Sequence, residues 1–286
     1  MRLANIAGRL HILADSGAVD VATASDGRFD ADPQKIYARW TEFRIWAGTA
    51  DLARARPYDR EALGAPTPLP AQLVAVGLNY RDHATEAGFD VPDGLPPVFT
   101  KFASSISGPY THICLPKGNV DWEVELAVVI GSTASRVSEE QAWQHIAGYT
   151  IAQDLSERVL QMSGPAPQFS LGKSHAGFTP LGPWLTTLDE IADPTALRLT
   201  TEVNGEVVQD GNTRDLLYPV PELIARLSRI VTLWPGDVIL TGTPSGVGMG
   251  HNPPRYLASG DTLTTRIDGL GTLEQHFTAY PQDSAA

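Results

Sequence analysis

The sequence has little cysteine and no long apolar run. Its single cysteine, Cys114, excludes an intrachain disulfide and a metal site built from several thiolates. A chain without disulfides fits a reducing compartment, so the sequence predicts a cytoplasmic protein. Residues 1–8 have no long apolar core, and no other apolar run approaches the length that a bilayer requires. We therefore expect a globular protein without a membrane-spanning segment.

Positive charge is also scarce. Lys and Arg total 21 against 33 Asp and Glu, which gives a formal net charge of −12. Nucleic acids and anionic membranes require a basic face, so this balance argues against both as the main partner. The only lysines are Lys35, Lys101, Lys117 and Lys173.

The composition changes near residue 66 and predicts two parts. Residues 1–66 are a small N-terminal domain that ends in a proline-rich linker, because residues before proline avoid the helical region. Residues 67–286 are the main domain, in which short apolar runs predict strands. The chain does not alternate regularly between strand and helix, so it predicts an α+β fold that is mostly β: a mixed β-roll or barrel with a few helices.

Individual elements follow from spacing and capping residues. Asn79 is placed to cap a short helix that runs through Ala87, with Gly88 at its C-terminal end. Apolar runs at 126–130 and 146–153 predict strands, and alternation over 259–277 predicts a hairpin. Helices are predicted at 138–145, from its N-terminal cap, and at 221–230, from its helical apolar spacing.

Acidic residues alternate along residues 121–125, which read Asp-Trp-Glu-Val-Glu before five apolar residues. In a strand Asp121, Glu123 and Glu125 would share one face. Such closely spaced carboxylates are costly unless a cation lies among them or some of them are protonated. Hard divalent ions prefer carboxylate oxygens. The pattern therefore indicates a cation site or, alternatively, a half-exposed edge strand whose acids face water.

A further acid, Asp154, follows the predicted strand at 146–153. If that strand neighbours residues 123–125, three carboxylates converge and leave coordination positions open for substrate and water, as is typical of Mg²⁺ sites. The alternative for an acid at a strand end is a turn former or a helix cap.

His83 and Glu86 are three residues apart on the predicted helix and so share one face. A carboxylate at this distance can orient the imidazole and raise its basicity, which allows the pair to deprotonate water. The alternative is an ordinary surface histidine. Lys173, on a glycine-flanked loop, could stabilise an oxyanion or could be solvated.

In their order along the chain these motifs resemble the fumarylacetoacetate hydrolase family from about residue 72 to residue 278. The matching segments are 77–86 (GLNYRDHATE), 99–101 (FTK), 121–126 (DWEVEL), 153–161 (QDLSERVLQ), 172–174 (GKS), 178–183 (FTPLGP), 209–213 (QDGNT), 233–239 (LWPGDVI) and 241–248 (TGTPSGVG).

The resemblance implies a role for each matching residue. The implied ligands of a Mg²⁺ or Mn²⁺ ion are Glu123, Glu125 and Asp154, with Asp121 in a supporting role. The implied catalytic residues are His83 and Glu86, as a water-activating pair on a lid segment, and Lys173, which stabilises the oxyanion. The implied substrate contacts are Lys101, Arg158, Gln161 and Thr243. The resemblance also implies a β-roll with a small N-terminal domain, assembled as a homodimer.

The chain departs from the family pattern in two places. After Gly-Lys-Ser the family continues with an acid that is missing from His175-Ala-Gly-Phe178, which would alter the loop or the pocket wall. After Asn-Thr, an expected Met-containing apolar stretch is replaced by Arg214-Asp-Leu-Leu-Tyr218, and Tyr218 is expected to change which substrate tail is accepted.

These observations predict a metal-dependent hydrolase that cleaves a carbon–carbon bond in a small anionic, acylpyruvate-like β-diketo acid. A second hypothesis keeps the site and changes the reaction to oxaloacetate decarboxylation or tautomerisation, or to isomerisation or hydration of a dienoate. A third is a non-catalytic protein that binds an oxo acid.

Overall fold

A computed structural model describes residues 1–86, 94 and 96–280. The chain begins with an antiparallel meander that continues into short helices. Asp20 and Asp32 initiate two of these helices, because their carboxylates accept hydrogen bonds from the amides of Thr23 and Gln34 at 2.8 and 2.9 Å. The elements are β1 (Arg2–Ile6), β2 (Arg9–Ala14), β3 (Gly17–Asp20), α1 (Val21–Ala24), α2 (Trp40–Ala47) and β4 (Leu63–Gly64), with 3₁₀ helices at Pro33–Arg39, Leu52–Arg54 and Arg60–Ala62.

Strands dominate the rest of the described chain. They are β5 (Leu73–Val76), β6 (Val98–Thr100), β7 (Ile106–Ser107), β8 (Tyr110–Leu115), β9 (Val120–Asp121), β10 (Val124–Ile130), β11 (Ile146–Gln153), β12 (Ser156–Glu157), β13 (Thr179–Thr186), β14 (Arg198–Val203), β15 (Glu206–Asn212), β16 (Val238–Leu240), β17 (Thr262–Ile267) and β18 (Gly271–Ala279). The α-helices are α3 (Arg81–Glu86), α4 (Glu139–Ala142), α5 (Arg158–Gln161), α6 (Phe169–Gly172) and α7 (Val220–Ser228). Further 3₁₀ helices lie at Ala103–Ser105, Trp143–His145, Leu188–Glu190, Thr213–Asp215 and Gly248–Gly250.

The largest sheet formed by the described residues places β10 and β11 side by side in its interior. Its strand order is β3-β2-β1-β13-β11-β10-β16-β5-β6, with β4 on β1 and β7 on β13. Every residue of β10 and β11 is buried, as expected for strands that are covered on both faces. Val124 lies opposite Gln153, so the first residue of β10 and the last residue of β11 are neighbours, at the same end of the two strands. A second sheet has the order β15-β14-β17-β18-β8.

One hydrophobic cluster joins the N-terminal segment to the main sheet. It contains Trp40 and Phe43 together with Leu73, Ala127 and Leu185. Strand β1 also pairs with β13, which lies next to β11. Residues on both sides of residue 66 therefore belong to one continuous hydrophobic core. The domain boundary at residue 66 stays a prediction.

The predicted α+β, mostly β fold is confirmed. Strands β10 and β11, the β17–β18 hairpin and helix α7 lie where the sequence predicted them. Ser138 caps α4 through a capping box with Gln141. None of the helices in the described residues combines the length and apolar content needed to cross a bilayer.

The prediction that Asn79 caps helix α3 is wrong. Its side-chain amide donates to the carbonyls of Tyr218 and Thr241 at 3.1 and 2.8 Å, and its oxygen accepts from the Tyr218 amide at 2.8 Å. Asn79 therefore fastens the chain before α3 to two other segments. Ala87 and Gly88, which were predicted to end the helix, lie outside the described residues.

Candidate metal centre and active site

Three carboxylates converge where β10 begins and β11 ends. Glu123 directly precedes β10, Glu125 lies within it, and Asp154 directly follows β11. The Asp154 amide donates to the Glu123 carbonyl at 2.9 Å, which fixes the two segments in register. One oxygen from each of these three side chains lies within 4.8 Å of the others, and all three residues are buried. The alternative of an edge strand with acids in water is therefore wrong.

Asp121 lies outside this group because the strand predicted across 121–130 is interrupted at residues 122–123. Its Oδ2 atom accepts from Nε and Nη2 of Arg158 at 2.9 and 2.7 Å. The backbone amides of Gly248 and Met249 donate to the same carboxylate at 2.6 and 3.0 Å. Asp121 thus binds Arg158 and a loop, and its supporting role at the metal site stays a prediction.

Three cationic side chains compensate the buried acids. Lys173 Nζ lies 2.7 Å from both Glu123 Oε2 and Asp154 Oδ2, so the alternative of a solvated lysine is wrong. Lys101 donates to Asp154 Oδ1 and, at 2.8 Å, to the Phe178 carbonyl. Arg158 Nη2 lies 2.8 Å from Glu123 Oε1. Lysine and arginine therefore surround Glu123 and Asp154, as buried carboxylates require.

Glu125 has much less compensation than its neighbours. Within the described part of the chain its carboxylate accepts a hydrogen bond from the Gly242 amide at 2.6 Å and forms no ion pair. Burial, together with the charges of Asp154 and Glu123, raises the pKa of Glu125 well above its ordinary value. Burial also disfavours the ionised form of Glu123, but Lys173 and Arg158 outweigh it and lower the pKa of Glu123.

The donor set fits a hard divalent cation. Three carboxylate oxygens match the ligands that Mg²⁺ and Mn²⁺ prefer, and a bound cation would supply the compensation that Glu125 lacks. The residues that would hold the ion are Glu123, Glu125 and Asp154.

His83 and Glu86 lie side by side on α3. His83 Nδ1 is 3.5 Å from Glu86 Oε2, and the His83 ring lines the same cavity as the three acids. Glu86 also accepts from the Gly246 amide at 3.0 and 3.2 Å. Burial tends to raise the pKa of Glu86, but the hydrogen bonds from His83 and Gly246 outweigh it and hold that pKa below its ordinary value. Glu86 is thus an ionised partner for the imidazole.

The loop that contains Thr243 also connects these groups, a role that the sequence analysis did not predict. We call residues 241–250 the amide loop, because its backbone amides donate to Glu125 from Gly242, to Glu86 from Gly246 and to Asp121 from Gly248. Gly246 has a φ of +100°, and a Cβ there would lie 2.0 Å from the Val208 carbonyl oxygen. The glycine spacing in 241–248 was the available signal, but which carboxylates the amides reach depends on tertiary structure.

The predicted substrate contacts fall into two groups. Arg158, Gln161 and Thr243 line the cavity. Arg158 also donates to Gln161 at 3.0 Å, and Thr243 accepts from Gln209 at 2.9 Å. Lys101 is not among the described residues that line the cavity and lies behind Asp154.

The two departures from the family pattern also lie away from the cavity. Neither His175 nor Tyr218 belongs to its described lining. His175 packs on Phe178 with ring centroids 4.9 Å apart, and the Arg226 guanidinium lies 4.8 Å from the Tyr218 ring centroid. The changed residues thus act, if at all, through neighbouring segments.

Comparison with known proteins assigns the chain to a family. Residues 72–278 match the family described as fumarylacetoacetate (FAA) hydrolase, C-terminal. This range includes every site residue named above. The chain belongs to the fumarylacetoacetate hydrolase family. The resemblance inferred from the motifs is therefore confirmed.

Relatives within the fumarylacetoacetate hydrolase family differ in activity. The human mitochondrial oxaloacetate tautomerase FAHD2A is 48% identical over 211 residues, which cover 73% of this chain and 67% of that protein. An HpcE-type protein from Mycobacterium smegmatis is 55% identical with a TM-score of 0.95, over 98% of this chain and 99% of that one. Maleylpyruvate hydrolase from Sphingobium sp. SYK-6 was solved with manganese(II) and pyruvate. It is 29% identical with a TM-score of 0.77, over 98% of this chain and 99% of that one.

Proposed function

We propose that this protein is a divalent-metal-dependent hydrolase that cleaves a carbon–carbon bond in an acylpyruvate-like β-diketo acid. The main support is one observation: the buried Glu123, Glu125 and Asp154 group shares a cavity with His83, which Glu86 orients. Maleylpyruvate hydrolase, which has the same fold and was solved with manganese(II) and pyruvate, supports the same class of reaction.

The metal that we propose is Mg²⁺ or Mn²⁺, held by Glu123, Glu125 and Asp154. When bound, such an ion would supply Lewis-acid chemistry: the 2-oxo acid would chelate it, and it would stabilise an enolate. Lys101 contacts Asp154 and not the cavity, so we assign it to positioning that ligand.

The chain's own residues handle the water and its protons. His83 accepts a proton from water while Glu86 stabilises the resulting imidazolium. The water oxygen adds to the distal carbonyl carbon, and Lys173 stabilises the oxyanion that forms. The carbon–carbon bond then breaks, its electron pair stays on the 2-oxo acid fragment, and His83 returns the proton to that carbon. Arg158, Gln161 and Thr243 contact the substrate's carboxylate and oxo groups.

A second candidate function is enol chemistry without hydrolysis. Its support is the 48% identity to a human oxaloacetate tautomerase and the same fold in a 2-hydroxyhepta-2,4-diene-1,7-dioate isomerase from Mycobacterium abscessus, described as probable, at 31% identity and a TM-score of 0.84. Tautomerisation, isomerisation or decarboxylation uses the same acids but needs no activated water at the distal carbonyl.

His83→Ala distinguishes the two functions. Hydrolysis should fall by about 100-fold or more because the water loses its base, whereas any oxaloacetate tautomerisation or decarboxylation by the wild type should be unaffected. The measurement is ultraviolet absorbance on acylpyruvates and on oxaloacetate, with Mn²⁺ and after chelation. His112→Ala, at an exposed histidine outside the site, is the control. Undiminished hydrolysis in His83→Ala, or in fully chelated protein, would contradict the proposed mechanism.

We also propose that the protein is a cytoplasmic homodimer, on the strength of the family resemblance and of the single cysteine. Sedimentation equilibrium of the purified protein tests the dimer directly, and a monomer at micromolar concentration would contradict it.

A further inference from the structure

The described lining of the active-site cavity combines charged and apolar side chains. Its charged or titratable members include the three acids with Arg158, Lys173 and His83. Its apolar members, which we call the apolar wall, are Val76, Leu78, Phe99, Met162, Phe169 and Met249. The Lys173 ammonium lies 5.2 Å from the Phe99 ring centroid, so the two groups adjoin. A 2-oxo acid bound at the acids is therefore next to apolar side chains.

Each cation of the described cavity lining already has carboxylate partners. Lys173 lies 2.7 Å from both Glu123 and Asp154, and Arg158 lies 2.7 Å from Asp121 and 2.8 Å from Glu123. The other basic group of the lining, His83, pairs with Glu86. The described lining of the cavity thus contains no cation without a carboxylate partner.

We propose that this cavity selects 2-oxo acids whose only charge is the carboxylate beside the oxo group and whose distal group is apolar, and that it rejects a second, distal carboxylate. The inference rests on the proposed function, whose substrate class it narrows. A distal carboxylate would lose water against the apolar wall without gaining a cation, and that unpaired charge provides the discrimination.

A pair of unreactive ligands tests this without turnover. Both 2-oxovalerate and 2-oxoglutarate have five carbons and a 2-oxo acid end, but only the latter has a distal carboxylate. Calorimetric titration of the Mn²⁺-loaded protein should show that 2-oxovalerate binds at least about tenfold more tightly than 2-oxoglutarate. Equal binding, or tighter binding of 2-oxoglutarate, would overturn the proposal.

A lysine placed in the apolar wall should relax the selectivity. Met162 lines the cavity and is 44% exposed, so Met162→Lys supplies a cation without opening the core. We expect it to reduce the preference for 2-oxovalerate by about fivefold or more. Val159→Lys adds the same charge three residues away at a 59% exposed position outside the described lining, and should leave the preference unchanged. Equal shifts in both variants, or no shift in Met162→Lys, would contradict the assignment.

Turnover separates failure of this inference from failure of the proposed function. Acylpyruvates with alkyl tails should be hydrolysed at least about tenfold more efficiently, by kcat/KM, than a β-diketo acid with a distal carboxylate. If both are hydrolysed equally well, the hydrolase assignment stands and the selectivity is wrong. If neither is hydrolysed, the proposed function fails, and the ligand pair still decides the selectivity.

Discussion

Glu123 and Glu125 are two residues apart and both are proposed ligands, yet their surroundings differ. Glu123 forms ion pairs with Lys173 and Arg158. Among the described contacts, the Glu125 carboxylate accepts a hydrogen bond only from the Gly242 amide. The charge of Glu123 is thus balanced before any ion binds, while that of Glu125 is not. Glu123 contributes to the stability of the fold as well as to the metal site, and Glu125 chiefly to the metal site.

Substitution of each glutamate by glutamine should separate these contributions. Glu125→Gln removes a poorly compensated buried charge and keeps an acceptor for Gly242, so the metal-free protein should be as stable as the wild type or more stable. Glu123→Gln leaves Lys173 and Arg158 with one carboxylate partner fewer. It should lower the free energy of unfolding by about 1–3 kcal/mol. Urea unfolding of chelated protein measures both changes.

Metal titration of the same two variants completes the comparison. Both should bind Mn²⁺ at least about 100-fold more weakly, since each loses a charged ligand. A Glu125→Gln variant that is markedly less stable without metal, or that retains wild-type affinity, would contradict this account of Glu125.

Glu86 predicts a pH dependence of stability. Its pKa in the folded protein is held below its ordinary value, so ionised Glu86 stabilises the fold above the ordinary pKa, and this contribution is lost as the pH falls through the folded pKa. The stability difference between wild type and Glu86→Gln should be constant near neutral pH and should shrink below about pH 4.5. We expect it to be about 1 kcal/mol or less, because Glu86 is partly exposed to solvent.

Urea unfolding of both proteins across the acid range measures this difference. Glu140→Gln, at an exposed glutamate of α4, is the control for general charge effects. A difference that grows as the pH falls would show that the pKa of Glu86 is shifted in the opposite direction.

Among the elements, the amide loop has the widest influence on the site. It contains no α-helix or strand, and its amides reach Glu125, Glu86 and Asp121. A charged hydrogen bond of this kind is worth about 1.5–3 kcal/mol, so three of them fix the loop against the carboxylates. The loop and the acids therefore depend on each other for their positions.

Alanine substitution of two glycines tests this dependence. Gly246 and Gly260 have similar φ values, +100° and +95°, so alanine is strained at either by about 1–2 kcal/mol. Only at Gly246 would the new Cβ meet another atom, the Val208 carbonyl oxygen at 2.0 Å. Gly246→Ala should thus lower kcat by about tenfold or more as Glu86 loses its amide, whereas Gly260→Ala should lose only stability. Equal activity in the two variants would remove the loop from the site.

How far the sequence predicts the site depends on the range of each interaction. The pairs His83–Glu86 and Glu123–Glu125 are close in sequence, so spacing alone places their members together. Asp154 requires the β10–β11 pairing, which two long apolar runs indicate. The Asp121–Arg158 pair and the amides of the loop join segments that are 37 and more than 100 residues apart, and no local pattern reports such contacts. At the interruption of the strand the Glu123 amide donates to the Gln153 side chain at 2.9 Å, a contact between residues 30 apart that no local pattern indicates.

At the scale of the whole molecule, the N-terminal segment and the main sheet share one core. Trp40 is 6% exposed, and its ring packs so closely against the main sheet that a Cβ at Gly131 would lie 2.6 Å from it. Strand β1 extends the sheet that contains the acids through β13 and β11. We therefore expect the chain to unfold in a single transition, although the active site lies outside residues 1–66.

Trp40→Ala tests this cooperativity. Loss of a buried tryptophan should lower the free energy of unfolding by about 3–5 kcal/mol. Mn²⁺ binding should disappear at the same denaturant concentration as the secondary structure. Far-ultraviolet circular dichroism reports the fold, and Mn²⁺ binding reports the site. Trp234→Ala, at a 51% exposed tryptophan, should have little effect. Loss of residues 1–66 at lower urea while Mn²⁺ stays bound would instead show two independent units.

The amide loop also determines where this enzyme can be redesigned. Any substitution that moves its backbone disturbs a proposed metal ligand, the partner of the proposed base and the anchor of Arg158 together. Directed-evolution libraries aimed at new acyl groups should therefore hold 241–250 constant and vary the part of the apolar wall outside the loop, where Val76, Leu78 and Phe169 line the cavity. Diversity placed in the loop would mostly yield inactive clones, whereas diversity in the wall would change which tail fits and leave the chemistry in place.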